Sequence, residues 1–152
     1  ATENAVVVKD LLADLVGRGV DPARRRLFVI DGSKALRAGI AAVFGTKHPV
    51  QRCRNHKVEN VMGYLPEPLK EQVKTVMKAA YRLSAAEGMK RLKDQARWLE
   101  PEHPDAARSL LEGLEETFTI NRLNLPPKLR RCLATTNLIE SPHSGCGCGR
   151  GG

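Results

Sequence analysis

The sequence predicts an α/β fold that gives way to an all-helical block. Three observations carry this. The apolar run Leu27-Phe28-Val29-Ile30 ends in Asp31-Gly32, the pattern of a short buried strand that delivers a carboxylate at its C-terminal edge. Helical stripes flank that run, and a second short strand is expected over residues 50–54, which gives an α-β-α-β order. From Lys57 to about Phe118 the apolar residues recur at helical spacing, and no strand pattern of any strength appears.

The elements follow in order. Thr2 is placed to cap a first helix carrying Val6, Val7, Leu11, Leu12, Leu15 and Val16, stopped by Gly17 and Gly19. Asp21-Pro22 turns the chain, and Arg24-Arg25-Arg26 leads into the first strand. Ser33 or Asp31 caps a second helix with Leu36, Ile40 and Val43 on one face, ending near Gly45. Pro66 and Pro68 punctuate the entry to the helical block, whose first stripe is Leu69, Val73, Val76, Met77, Ala80 and Tyr81. Ser84-Ala85-Ala86-Glu87 is a capping box opening a helix with Met89, Leu92 and Trp98. Trp98 reads as a core or interface residue rather than a platform for stacked bases. Pro101 and Pro104 end that helix, a further one carries Ala107, Leu110, Leu111, Leu114 and Phe118, and Pro126-Pro127 marks the exit. The tail from residue 142 is rich in glycine and cysteine and is expected to be disordered.

Composition narrows the function. The chain has 152 residues, 41% hydrophobic, enough for one ordinary domain. Its net charge of +8 and pI near 9.6 favour an acidic partner, above all nucleic acid, with a merely soluble basic protein as the alternative. No run approaches the ~18 apolar residues of a membrane span. The first stretch carries Glu3, Lys9 and Asp10, which is unlike a signal peptide. An intracellular chain is therefore expected, with reduced thiols at Cys53, Cys132, Cys146 and Cys148. Two strands alone do not make a stable sheet, so strands from elsewhere or a longer parent chain are expected.

The residues suited to chemistry are few. Asp31, at a strand end before a glycine, suits a divalent cation, and it equally suits the cap of the following helix. Glu140 is a second acid; Asn137-Leu138-Ile139-Glu140 also reads as a capping box. Cys53 and His56 supply two of the four ligands a structural zinc needs, and otherwise fit the shell of an active site. Arg52, Arg54 and Lys57, with Lys128, Arg130 and Arg131, are candidate phosphate contacts or solvated basic faces.

Three segments, Val29-Ile30-Asp31-Gly32, Gln51-Arg52-Cys53-Arg54-Asn55-His56-Lys57-Val58-Glu59-Asn60-Val61 and Thr135-Thr136-Asn137-Leu138-Ile139-Glu140-Ser141, occur in that order with a helical block between the last two. Together they resemble the Mutator-type transposases of bacterial insertion sequences, over residues 1 to 141. The resemblance implies a partial ribonuclease H-like core, two strands with covering helices, interrupted by an all-α insertion. It places core at residues 1–57, insertion at 58–125, a closing helix at 126–141 and a tail at 142–152.

By motif match Asp31 is the second acid of a DDE triad, Glu140 the third, and Cys53 and His56 the family's Cys-x2-His pair. The implied cofactor is a pair of Mg2+ or Mn2+ ions. The implied partners are DNA, as the element's terminal inverted repeats and as target, and further copies of the transposase. The implied location is the bacterial cytoplasm, at the nucleoid. The family's first Asp sits on an upstream strand; Asp10, Asp14 and Asp21 lie on or beside a predicted helix and do not replace it. The expectation is thus a transposase fragment without activity of its own. The rival expectations are a non-catalytic basic module that binds DNA or a transposase, and a remnant without function.

Overall fold

The computed structural model describes residues 3–134. Of these, 68% are helical and six lie in a two-stranded parallel sheet, so helices dominate the α/β character the sequence predicts. The chain divides into two compact units, residues 1–51 and 52–152.

The first unit holds helix α1 (Glu3–Gly17), strand β1 (Phe28–Ile30), helix α2 (Lys34–Phe44) and the start of strand β2 (Val50–Arg52). Ser33 caps α2 as its sequence suggests: its hydroxyl accepts the Leu36 N–H at 3.2 Å. Gly45 ends the helix, also as expected. The core is small, with Ile30, Ile40 and Phe44 buried and Leu12, Val16, Phe28 and Leu36 packed against them. The α1 stripe divides. Leu12 and Val16 face this core, while Val7 and Leu11 are 61% and 60% exposed.

His48 ties the loops together. Its Nδ1 accepts the Arg26 N–H and its Nε2 meets the Pro22 carbonyl, both at 3.2 Å, so the tautomer protonated at Nε2 satisfies both. Its ring stands edge-on to Phe28, 5.7 Å between centroids.

The second unit is helical: α3 (Arg54–Met62), α4 (Glu67–Tyr81), α5 (Ala85–Leu99), α6 (Pro104–Leu111), a 3-10 turn at Leu114–Phe118, α7 (Thr119–Arg122) and α8 (Pro127–Ala134). Strand β2 is shorter than expected because α3 begins at Arg54, with Cys53 as its N-cap. The Ser84 box forms, its hydroxyl accepting the Glu87 N–H at 3.3 Å. The single helix expected from Ala107 to Phe118 is broken after Leu111, where Gly113 takes a left-handed φ of 65° and the chain tightens into the 3-10 turn.

One continuous core joins α3 to α6 and the 3-10 turn. Val61, Val73, Met77, Leu92 and Phe118 have no exposed surface in it. Trp98 lies outside it, 54% exposed. Of the thiols expected to be reduced, Cys53 is free and buried. Cys146 and Cys148 lie outside the described residues. No described helix is long and apolar enough to cross a membrane.

Candidate functional site

Asp31 sits one residue past β1, exposed, where Gly32 turns the backbone with a φ of 106°. Its Oδ1 accepts the Ser33 N–H at 2.9 Å. The residue thus helps build the turn into α2, and Ser33, not Asp31, supplies the helix cap. Asp31 Oδ2 has no hydrogen-bond partner among the described residues. An exposed carboxylate oxygen on a fixed turn suits one ligand position of a divalent cation. Among the described residues no cluster of three or more His, Cys, Asp or Glu forms that could complete such a site. Glu140 lies outside the described residues.

The structure brings Cys53 and His56 together. Helical spacing sets His56 Nδ1 3.1 Å from Cys53 Sγ at the start of α3. The thiol is buried and the imidazole half-buried. No third metal-type side chain joins them among the described residues.

The three cations around this pair are buried. Arg52, Arg54 and Lys57 are 6%, 8% and 2% exposed. A buried charge without a partner costs several kcal/mol, so each must be answered. Glu112, just past α6, answers two of them. Arg52 donates to both its oxygens, Nη1 to Oε1 at 3.0 Å and Nη2 to Oε2 at 2.7 Å. Lys57 Nζ donates to Oε2 and to the Ser109 carbonyl, both at 2.8 Å. These hydrogen bonds hold the Glu112 carboxyl down at about 2, Arg52 contributing most and Lys57 next. Burial, aided by the Arg52 charge, lowers Lys57, and Glu112 opposes that shift.

Gly113 completes the arrangement. A Cβ there would land on Arg52 Nη1, and the left-handed φ disfavours other residues as well.

Arg54 is answered differently. Its Nε donates to the Thr117 carbonyl at 2.9 Å and its Nη2 to Asn121 Oδ1. Its guanidinium lies over the Tyr81 ring at 4.8 Å and the Phe118 ring at 5.8 Å. Burial lowers its pKa to about 10, opposed by Tyr81, whose hydroxyl burial pushes up in turn. Asn121 passes the network on, donating to the carbonyls of Tyr81 at 3.0 Å and Leu83 at 2.7 Å.

The sequence-level candidates therefore separate by environment. Arg52, Arg54 and Lys57 are buried and hydrogen-bonded to residues of the second unit, whereas Lys128, Arg130 and Arg131 on α8 are exposed. Glu112, Thr117 and Asn121 escaped the sequence reading. They lie 50 to 70 residues from the cations they serve, and no local pattern marks them. The one available signal was chemical: three cations packed between apolar positions from Val50 to Val61 require anions or carbonyls from elsewhere.

A family model described as "Transposase, Mutator family" matches residues 1–144. The chain belongs to the Mutator family of transposases. That match spans β1 with Asp31, the whole helical block, and the segment carrying Glu140. A comparison with curated proteins finds no match. Within this Mutator-family chain, Asp31 belongs to the first unit, while the Cys53–His56 pair and the buried cations belong to the second.

Proposed function

We propose that this chain carries two of the three acids of a metal-dependent DNA transposase, Asp31 and Glu140, within a ribonuclease H-like core. The family match supports the reading, and the observation that carries it is the place of Asp31: just past a strand end, its turn fixed by Ser33, with one carboxylate oxygen uncommitted. Divalent ions, Mg2+ or Mn2+, would be held by Asp31 and Glu140 together with a third acid. They would activate an attacking water or 3′-OH and stabilise the leaving oxygen. The residues themselves have simpler tasks. Asp31 presents a ligand at a position the backbone sets, and Ser33 N–H keeps the carboxylate from rotating. The Cys53–His56 pair orients the start of α3. DNA is the substrate and the partner, and copies of the transposase act together on element ends.

Because Asp10 and Asp14 lie on α1 and Asp21 in a turn, none stands at a strand end, and the 152-residue chain alone is not expected to join DNA. The test is Mg2+-dependent strand transfer by a protein that supplies the remaining acid. Asp31→Asn and Glu140→Gln should each reduce it by at least about a thousandfold while leaving binding to the element ends intact, since shape is kept and metal ligation lost. Near-normal transfer by either variant would remove that residue from the site.

A further inference from the structure

The second unit carries a basic ridge that the catalytic reading does not use. On α4, Lys70, Lys74 and Lys78 recur every fourth residue, and Arg82 at its C-cap continues the row. Rows at this spacing form a ridge inclined to the helix axis. At ~1.5 Å per residue the ridge runs about 18 Å. Val73, Met77, Ala80 and Tyr81 on the adjoining face of α4 are buried in the core, so packing fixes the ridge along the edge of that core, with Lys70 and Lys74 half-buried and Lys78 and Arg82 exposed.

The ridge borders grooves. Lys70, Lys74 and Lys78 line one with Asn55 and His56 of α3. Lys78 and Arg82 line a second, which reaches Arg130 and Arg131 of α8. The two share Asn55, Val58 and Lys78. Lys78, Arg82, Arg130 and Arg131 are exposed and Lys74 half-exposed. Lys70 pairs with Glu67 at 2.7 Å, and the other acids nearby are Glu59 on the groove wall and Glu71 on α4. Lys74, Lys78 and Arg82 have no ion pair among the described residues.

Charge is segregated across the unit. Glu100, Glu102, Asp105, Glu115 and Glu116 crowd the stretch through α6 and the 3-10 turn, where Arg108 is the one cation and Glu112 is already paired with Arg52 and Lys57. A polyanion is thereby drawn to the α4 side and repelled from the α6 side.

We infer that the α4 ridge, extended by Arg130 and Arg131, is a binding track for the phosphate backbone of duplex DNA. The inference takes its partner from the reading above and adds a surface apart from the carboxylates. About 18 Å, laid along the duplex axis, spans roughly five phosphates of one strand at ~3.4 Å of axis each. The ridge offers charges without a base-reading aromatic, so it holds DNA without regard to sequence.

The test uses the 152-residue chain, a fluorescent 20-base-pair duplex and titrations between 50 and 200 mM salt. The ridge triple variant Lys74→Gln/Lys78→Gln/Arg82→Gln is compared with a control triple on α5, Lys90→Gln/Lys93→Gln/Arg97→Gln, which removes the same charge. All six positions are exposed or half-exposed, and the thermal melt checks that both variants fold. The ridge triple should weaken binding roughly tenfold or more at the lowest salt and flatten the log–log salt slope by about 2 to 3 units, the control by less than 1.

Equal losses in both triples would overturn the track in favour of diffuse charge. Unchanged binding in the ridge triple would overturn it as well, while leaving the carboxylate reading to its own strand-transfer test. Failure of the wild-type chain to bind the duplex, or preference for an acidic polypeptide over it, would also overturn the track.

Discussion

The two units of this chain are built to different standards. The second has a continuous core in which aliphatic and aromatic side chains are fully enclosed, and its three buried cations are each answered by a specific partner. The first has three buried apolar residues, a sheet of two short strands, and a helix that leaves Val7 and Leu11 about three-fifths exposed. A two-stranded sheet is not independently stable. The lesson is that the helical unit has what it needs to hold itself together, whereas the unit bearing Asp31 does not. Asp31 thus sits in the less self-sufficient part.

The largest expected effect is on the second unit's core. Phe118 is fully buried, against Tyr81 and beneath Arg54. Phe118→Ala should cost ~3–5 kcal/mol in urea unfolding of that unit. A loss under about 1 kcal/mol would mean that the core is looser than its enclosure implies.

The ion cluster comes next. Glu112→Ala strands Arg52 and Lys57 in the interior. The cost should be about 1–3 kcal/mol, below that of breaking a fully buried pair, because the Glu112 side chain is 57% exposed and screened by water. The pH dependence carries a definite sign. The folded carboxyl sits at about 2 against an ordinary 4.5. Its stabilisation is therefore fully present above 4.5 and lost as the pH falls through about 2. Wild-type stability should fall more steeply between pH 5 and 3 than that of Glu112→Gln; parallel curves would contradict the assignment.

The smallest effect concerns the cap that adjoins Asp31. Ser33→Ala should cost about 1 kcal/mol in the first unit and leave the second unchanged. A loss shared by both would show the two units unfolding as one.

What the sequence made legible follows the range of each interaction. The strand at Phe28–Ile30, the Ser33 cap, the Gly45 stop and the Ser84 box are local and were readable from neighbouring residues. The early start of α3 was not, because Cys53 makes no side-chain cap bond and nothing polar announces the helix. The break at Gly113 was hidden by an apolar stripe that continues through it, from Leu110 to Phe118. The buried cations were legible as basic residues and not as interior ones, since their environment is set by Glu112, Thr117 and Asn121 from far along the chain. Of the roles the sequence offered Asp31, the cap of α2 went to Ser33, and Asp31 instead braces the turn before it through Oδ1.

Native-state hydrogen exchange of the 152-residue chain, resolved by residue, tests the division most directly. Amides of α3 to α5 should exchange last and together, at the free energy of global unfolding, while those of α1, β1 and α2 exchange through a cheaper opening of their own. Equal protection in both units would contradict the division and make the Asp31 turn as firmly held as the helical core.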